Sequence, residues 1–250
     1  MVIMKLVVVV CQFFKGAKIM ATKKTGGTEY VLTMWSFLVN IPCAIFIGFA
    51  WWKFGWIADI VALDSLYISR AIIAFTLYAV VTCTWHVWKT SRELNVAQAY
   101  VRALQSKNTK QQAQIESGSS LVAGYIDDIK GLDADGRRGM DEIFAENAGI
   151  AMTGVSYNIG RLVAFGFIGT LVGIAIALKV FDIPLTDQSQ MLGLFSKLPV
   201  GLRIAVYPAL LGSIGAFWLD LLFQILDDGT QRLTSWVKKA GVYYAQQSRT

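Results

Sequence analysis

The chain has 250 residues, 55% of them hydrophobic and only 16% charged, with a mean hydropathy of +0.50. Soluble domains carry about a quarter charged residues, so this balance excludes an ordinary soluble domain and points to a membrane protein. The formal net charge of +6 raises nucleic acid as a partner, but the basic residues are distributed as an orientation signal, and no nucleic-acid binding is expected.

Residues 1–30 begin with MVIMKLVVVVCQFF, too short to span and without the small-residue cleavage site of a signal peptide. Cys11 follows valines, not the small residues of a lipoprotein site. The segment reads either as an interfacial part of a cytoplasmic N-terminal stretch or, since MATKKTGG at Met20 resembles a natural start, as sequence upstream of one.

Four apolar segments follow, against the roughly 20 residues needed to cross hydrocarbon. Residues 31–52 carry no charge, and residues 71–88 hold no Asp, Glu, Lys or Arg, with His86 their one imidazole. Residues 162–178 and 204–219 are uncharged and short, but Arg161, Lys179 and Arg203 can extend them by snorkelling to the headgroups. Four transmembrane helices are expected, as pairs over residues 31–88 and 161–226. Trp51, Trp52 and Trp56 mark one end of the first span, and Trp85 and Trp88 one end of the second.

Lys and Arg set the orientation. Residues 1–30, 89–161 and 226–250 hold five, nine and four of them, against two in residues 53–70 and three in residues 179–203. With 18 of 23 on one side, both termini and the 89–160 loop are expected in the cytoplasm. Within that loop, Leu94, Ala97, Val101 and Leu104 form a helical stripe that continues the second span as one long helix. Gly118 is expected to break it, and GLDADGRRG to form a turn before a further helix from Met140. Residues 227–250 read as a cytoplasmic tail. The fold class is thus an all-α integral membrane protein with four transmembrane helices and a long cytoplasmic helical extension between the second and third.

Chemistry-bearing motifs are scarce. DADG (133–136) lacks the further oxygen ligands of a calcium loop, and Arg137 and Arg138 follow it. His86 has no companion ligands. Cys11, Cys43 and Cys83 have neither metal nor redox spacing. There is no nucleophile–base constellation, P-loop or Rossmann pattern, so no enzyme, cofactor or metal is expected.

The glycines carry more. Gly169, Gly173 and Ala177 recur every four residues, and Gly201, Ala205, Ala209, Gly212 and Ala216 repeat the pattern in the last span. Such strips let helices approach at backbone distance, and two matching strips suggest a tight assembly with many of the contacts between subunits, the alternative being ordinary packing within one chain. Among them stands Thr170, which either bonds the Gly166 carbonyl four residues back or faces a pore.

AFGFIGTLVG (164–173) resembles the penultimate-span motif G-x-x-G-T-x-x-G of the MotA/TolQ/ExbB proton-channel family, with Gly166, Gly169, Thr170 and Gly173 in place. GLRIAVYPALLGSIGA (201–216) is similar to the family's last-helix pattern through Gly201, Ala205 and Gly212. The order of spans matches the four-span stator branch, and the resemblance covers residues 161–226. It implies a homopentamer in the bacterial inner membrane around a single-span partner of MotB/ExbD/TolR type, whose membrane aspartate takes up the proton. It also implies an ion path past Thr170, Ala209 and Ser213, with Gly166, Gly169, Gly173, Ala177, Gly201, Ala205, Pro208 and Gly212 packing the helices. The chain departs from the family at Ala209, where a second threonine is usual, at Pro208, and at Val163, where the stator branch has proline. Without the second hydroxyl, sodium coordination is disfavoured. Proton use, or no conduction, is left.

Overall fold

The computed structural model describes residues 31–54, 67–178 and 188–247, with the backbone alone at residues 31–35, 37, 50–52, 54, 134, 151, 188–201, 203 and 204. The expectations for residues 1–30, Cys11, the loop tryptophan Trp56 and the side chains of Trp51 and Trp52 lie outside this description. The described residues form six helices and no strand: α1 Val31–Phe54, α2 Ile68–Gln105, α3 Thr109–Glu116, α4 Leu121–Asp128, α5 Ala134–Leu178 and α6 Gln188–Gln247.

Three of these helices are long and apolar enough to cross a membrane, within Ile68–Gln105, Asp135–Leu178 and Ala205–Gln246. At about 1.5 Å per residue, the 38, 45 and 60 residues of α2, α5 and α6 all exceed a bilayer's apolar thickness. In α1 the apolar stretch Leu38–Phe49 is shorter. The apolar halves of α2 and α5 turn large side chains outward, Leu77, Val81, Phe167, Ile168 and Leu171 among them, as lipid-facing helices do.

Capping residues set the breaks, and two differ from the sequence reading. The break expected at Gly118 comes first at residues 106–108. Lys107 adopts a left-handed φ of 54°, and the Asn108 side chain then caps α3 by accepting from the Gln111 amide. The helix expected from Met140 begins six residues earlier, at Ala134, because Asp133 Oδ1 takes the Gly136 N–H at 2.8 Å. Just before it, Gly131 turns the chain with φ 81°, a conformation that disfavours side chains. The boundaries drawn at residues 160 and 226 fall inside α5 and α6. Both helices run unbroken from apolar into polar sequence.

α5 and α6 pack antiparallel along their length. Gly173 lies on Ala205, Gly166 on Pro208 and Ala209, and Gly212 on the Leu162 carbonyl. α2 covers both, through the edge-on ring pair Phe75–Phe165 at 5.4 Å and through Thr76 against Gly215. Cys83 is fully buried in α2, and Cys43 is half-buried in α1.

In the polar half, α3 and α4 fold back on α2. The buried Tyr100 donates its hydroxyl to Glu116 Oε1 at 3.0 Å, and Lys130 reaches the other oxygen at 3.0 Å. Burial and that carboxylate raise the Tyr100 phenol above its ordinary value, while the bond to Glu116 raises the Lys130 ammonium. Tyr125 of α4 wedges between the long helices, with its ring on Phe144 and its hydroxyl donating to Asp141.

Candidate functional site

The α5–α6 seam brings together most of the residues that the sequence singles out. Leu162, Gly166, Gly169, Gly173 and Ala177 are all buried on one face of α5. Opposite them on α6 are Ala205, Pro208 and Gly212, also buried, with Ala209 half-buried beside them. A Cβ on Gly173 would stand 2.7 Å from the Ala205 backbone nitrogen, and one on Gly212 would stand 2.6 Å from the Leu162 carbonyl oxygen. A Cβ on Gly169 would collide with the Pro208 ring. The small strips therefore seat the two helices of one chain against each other at backbone distance. Gly201 lies in α6, where only the backbone is described.

Pro208 fits here for a physical reason. A proline inside a helix lacks the N–H of its turn and crowds the carbonyl four residues back. Its ring lies over Gly169, in the space that the missing Cβ leaves, and its carbonyl oxygen lies over Gly166.

Thr170 sits at the rim of this seam, half-buried, with its hydroxyl donating to the Gly166 carbonyl at 3.0 Å. Successive helical residues are turned by about 100°. Phe165 looks toward α2, at Phe75, and Gly169 sits between Pro208 of α6 and Ile68 of α2, so Thr170 lies on the rim away from α2. The same construction on α6 starts from Gly215, which looks at Thr76 of α2. It puts Ala209, Ser213 and Asp220 on the corresponding rim. Ser213 is exposed and Asp220 half-buried, its Oδ2 accepting from Gln224 at 3.1 Å. The three ion-path candidates thus share one edge with the carboxylate nearest the apolar half of α6. The edge carries the side-chain oxygens of Thr170, Ser213 and Asp220, spaced along the two helices.

A second polar group crosses the bundle. The Trp218 indole N–H donates to Asn40 Oδ1 at 3.0 Å, Asn40 Nδ2 donates to Thr84 Oγ1 at 3.2 Å, and Thr84 donates onward to the Val80 carbonyl at 2.8 Å. Both ends of the Asn40 amide are satisfied, and the link ties α1 to α2 and α6. The sequence signal was available: Asn40 is a lone amide within an uncharged span, where a polar side chain needs a partner.

In the polar half, Glu93 accepts from the Val122 amide at 3.4 Å, at the start of α4, where Ser120 also caps. Burial raises the Glu93 carboxyl above the ordinary value, against the opposing pull of the Val122 and Leu121 amides and of Lys89 and Arg92.

Comparison of the chain with protein-family models, with characterised proteins and with solved structures gives no match.

Proposed function

We propose that this chain is the channel or stator subunit of a proton-driven membrane motor complex, a homo-oligomer with four spans per copy and both termini and the polar half in the cytoplasm. What supports the reading is the shared edge of Thr170, Ala209, Ser213 and Asp220 on the α5–α6 seam, together with the G-x-x-G-T-x-x-G pattern at residues 166–173. A proton relay within a membrane needs a titratable group there. No acid of this chain lies in the middle of residues 162–178 or 204–219, so a single-span partner supplies the carboxyl, and this edge lines its path.

The test is purification of the tagged chain from native membranes, followed by reconstitution with what accompanies it. A single-span protein with a membrane carboxylate should co-purify, and vesicles holding both should pass protons where the chain alone does not. Absence of such a protein, with no flux, sinks the reading. The alternative is a non-conducting membrane scaffold that docks cytoplasmic partners. It is favoured by the local bond that occupies the Thr170 hydroxyl.

A further inference from the structure

Two exposed faces in the polar half complement each other. On α5, Ile143 and Ile150 are 51% and 64% exposed and stand seven residues apart, with the exposed Glu142 and Glu146 beside them. Large apolar side chains at heptad spacing in an aqueous region lack the lipid that covers their counterparts higher in the same helix, and such a stripe marks an interaction surface. On α6, an open, shallow groove borders one face of the helix along Gln231, Ser235, Lys238, Lys239, Val242 and Gln246. Val242 there is 58% exposed, and Lys239 lies over the Trp236 ring at 4.7 Å. Among the described residues, Glu142, Glu146, Lys238 and Lys239 enter no ion pair.

The two faces lie at one height. The Tyr125 hydroxyl bonds Asp141 of α5 and stands 2.8 Å from where a Cβ on Gly241 of α6 would be. Because α5 and α6 run antiparallel, Glu142 and Glu146 are level with roughly residues 236–240 of α6, given the 1.5 Å rise per residue. That layer holds Lys238 and Lys239. Copies inserted the same way up in a membrane are related by rotation about its normal, so surfaces at equal height meet. The α5 face points away from α6 of its own chain, and it bears acids where the groove bears lysines. Two different faces that complement each other make a head-to-tail contact, which closes into a ring when the rotation permits.

We propose that the α5 face of one copy, Glu142, Ile143, Glu146 and Ile150, packs into the α6 groove of a second copy, with the glutamates opposite Lys238 and Lys239. The inference rests on the homo-oligomer of the preceding reading but not on conduction. Two differently tagged copies are co-expressed, one with Glu146→Cys and the other with Lys239→Cys, both in a Cys11→Ala, Cys43→Ala, Cys83→Ala background. Oxidation should give a mixed-tag dimer, and Glu146→Cys paired with itself should give little. In the unmodified background, Glu142→Lys with Glu146→Lys should lower the native mass of the detergent-purified particle, and adding Lys238→Glu with Lys239→Glu should restore it. An oligomer indifferent to both charge reversals and without the cross-link overturns the contact while leaving the assembly standing. A wild-type monomer overturns both. In a separate Lys239→Cys variant that keeps Cys11 but carries Cys43→Ala and Cys83→Ala, a cross-link to Cys11 within one copy assigns the groove to residues 1–30 and also overturns it.

Discussion

Trp218 and Asn40, 178 positions apart in sequence, share a hydrogen bond of 3.0 Å between the indole N–H and the side-chain carbonyl. With Thr84 completing the chain of donors, the bond holds α1 to the two helices that it touches. Hydrogen bonds between membrane helices contribute on average about 0.6 kcal/mol and at most about 1.7 kcal/mol. Asn40→Leu is therefore expected to lower thermal stability in detergent by that order, and Trp218→Phe to do the same. In the double variant the losses should not add, because one bond is removed once. Full additivity in the four-member cycle would refute the coupling.

The glycines make a sharper case. Gly173→Ala puts a methyl group into the Ala205 backbone, a contact with no flexible side chain to yield. Overpacking of this kind costs about 1–3 kcal/mol, and Gly173→Leu should separate α5 from α6 altogether. Gly124, in the interior of α4, has open space where its Cβ would be. Gly124→Ala should leave stability unchanged or raise it by up to about 1 kcal/mol, the helix-propensity difference. Unfolding midpoints of the two variants, measured side by side, check the contrast.

The strip of Gly169, Gly173 and Ala177 is legible in the sequence because small residues at helical spacing have few other uses in an apolar span. What they face is not legible. Spacing suggests contacts of which many lie between subunits, with packing inside one chain as the alternative, and the fold seats the strip on Ala205 and Pro208 of the same chain. The full reach of α5 and α6 was hidden for a different reason. Hydropathy reports a change of composition, not where a helix's hydrogen bonding stops, so the boundaries at residues 160 and 226 fall where apolar sequence gives way to polar. The start of α5 was missed because GLDADGRRG is rich in turn formers, while the deciding atom was one carboxylate oxygen of Asp133. The Asn40 link joins residues too distant in sequence for any periodicity to pair.

Glu93 makes stability depend on pH. Its carboxyl titrates above the ordinary value in the folded protein, chiefly through burial, so the folded state holds its proton to higher pH than the unfolded chain does. Stability from this group is then fully present below the ordinary glutamate value of about 4.3. It declines as pH rises from there to the raised folded value, and is flat above it. Glu93→Gln keeps a side-chain oxygen for the Val122 amide and cannot ionise. The difference in melting temperature, variant minus wild type, should therefore grow toward the variant as pH rises through that window. A difference that shrinks with rising pH would mean that the Val122, Lys89 and Arg92 interactions outweigh burial.

Thr170 separates the functional readings. Its hydroxyl donates to a carbonyl of its own helix, and that carbonyl retains its backbone partner without it, so Thr170→Val, nearly isosteric, should leave melting temperature and assembly unchanged. In a pore the outcome differs. An ion or ordered water stripped of bulk hydration needs polar contacts from the wall, and the neighbours Gly166, Gly169 and Gly173 have no side chains while Leu171 and Ile174 bring only hydrocarbon. Donating to Gly166 does not use up the oxygen, whose lone pairs still accept. With Ala209 in place of a second hydroxyl, the next hydroxyl on that edge of α6 among the described residues is Ser213. Thr170→Val is thus expected to abolish ion-driven activity in the presence of the acidic partner, and Thr170→Ser, which keeps the oxygen, to retain part of it. Proton flux into vesicles holding both proteins measures this. Undiminished flux in Thr170→Val would leave the hydroxyl with its local bond alone and take the ion path away from this edge.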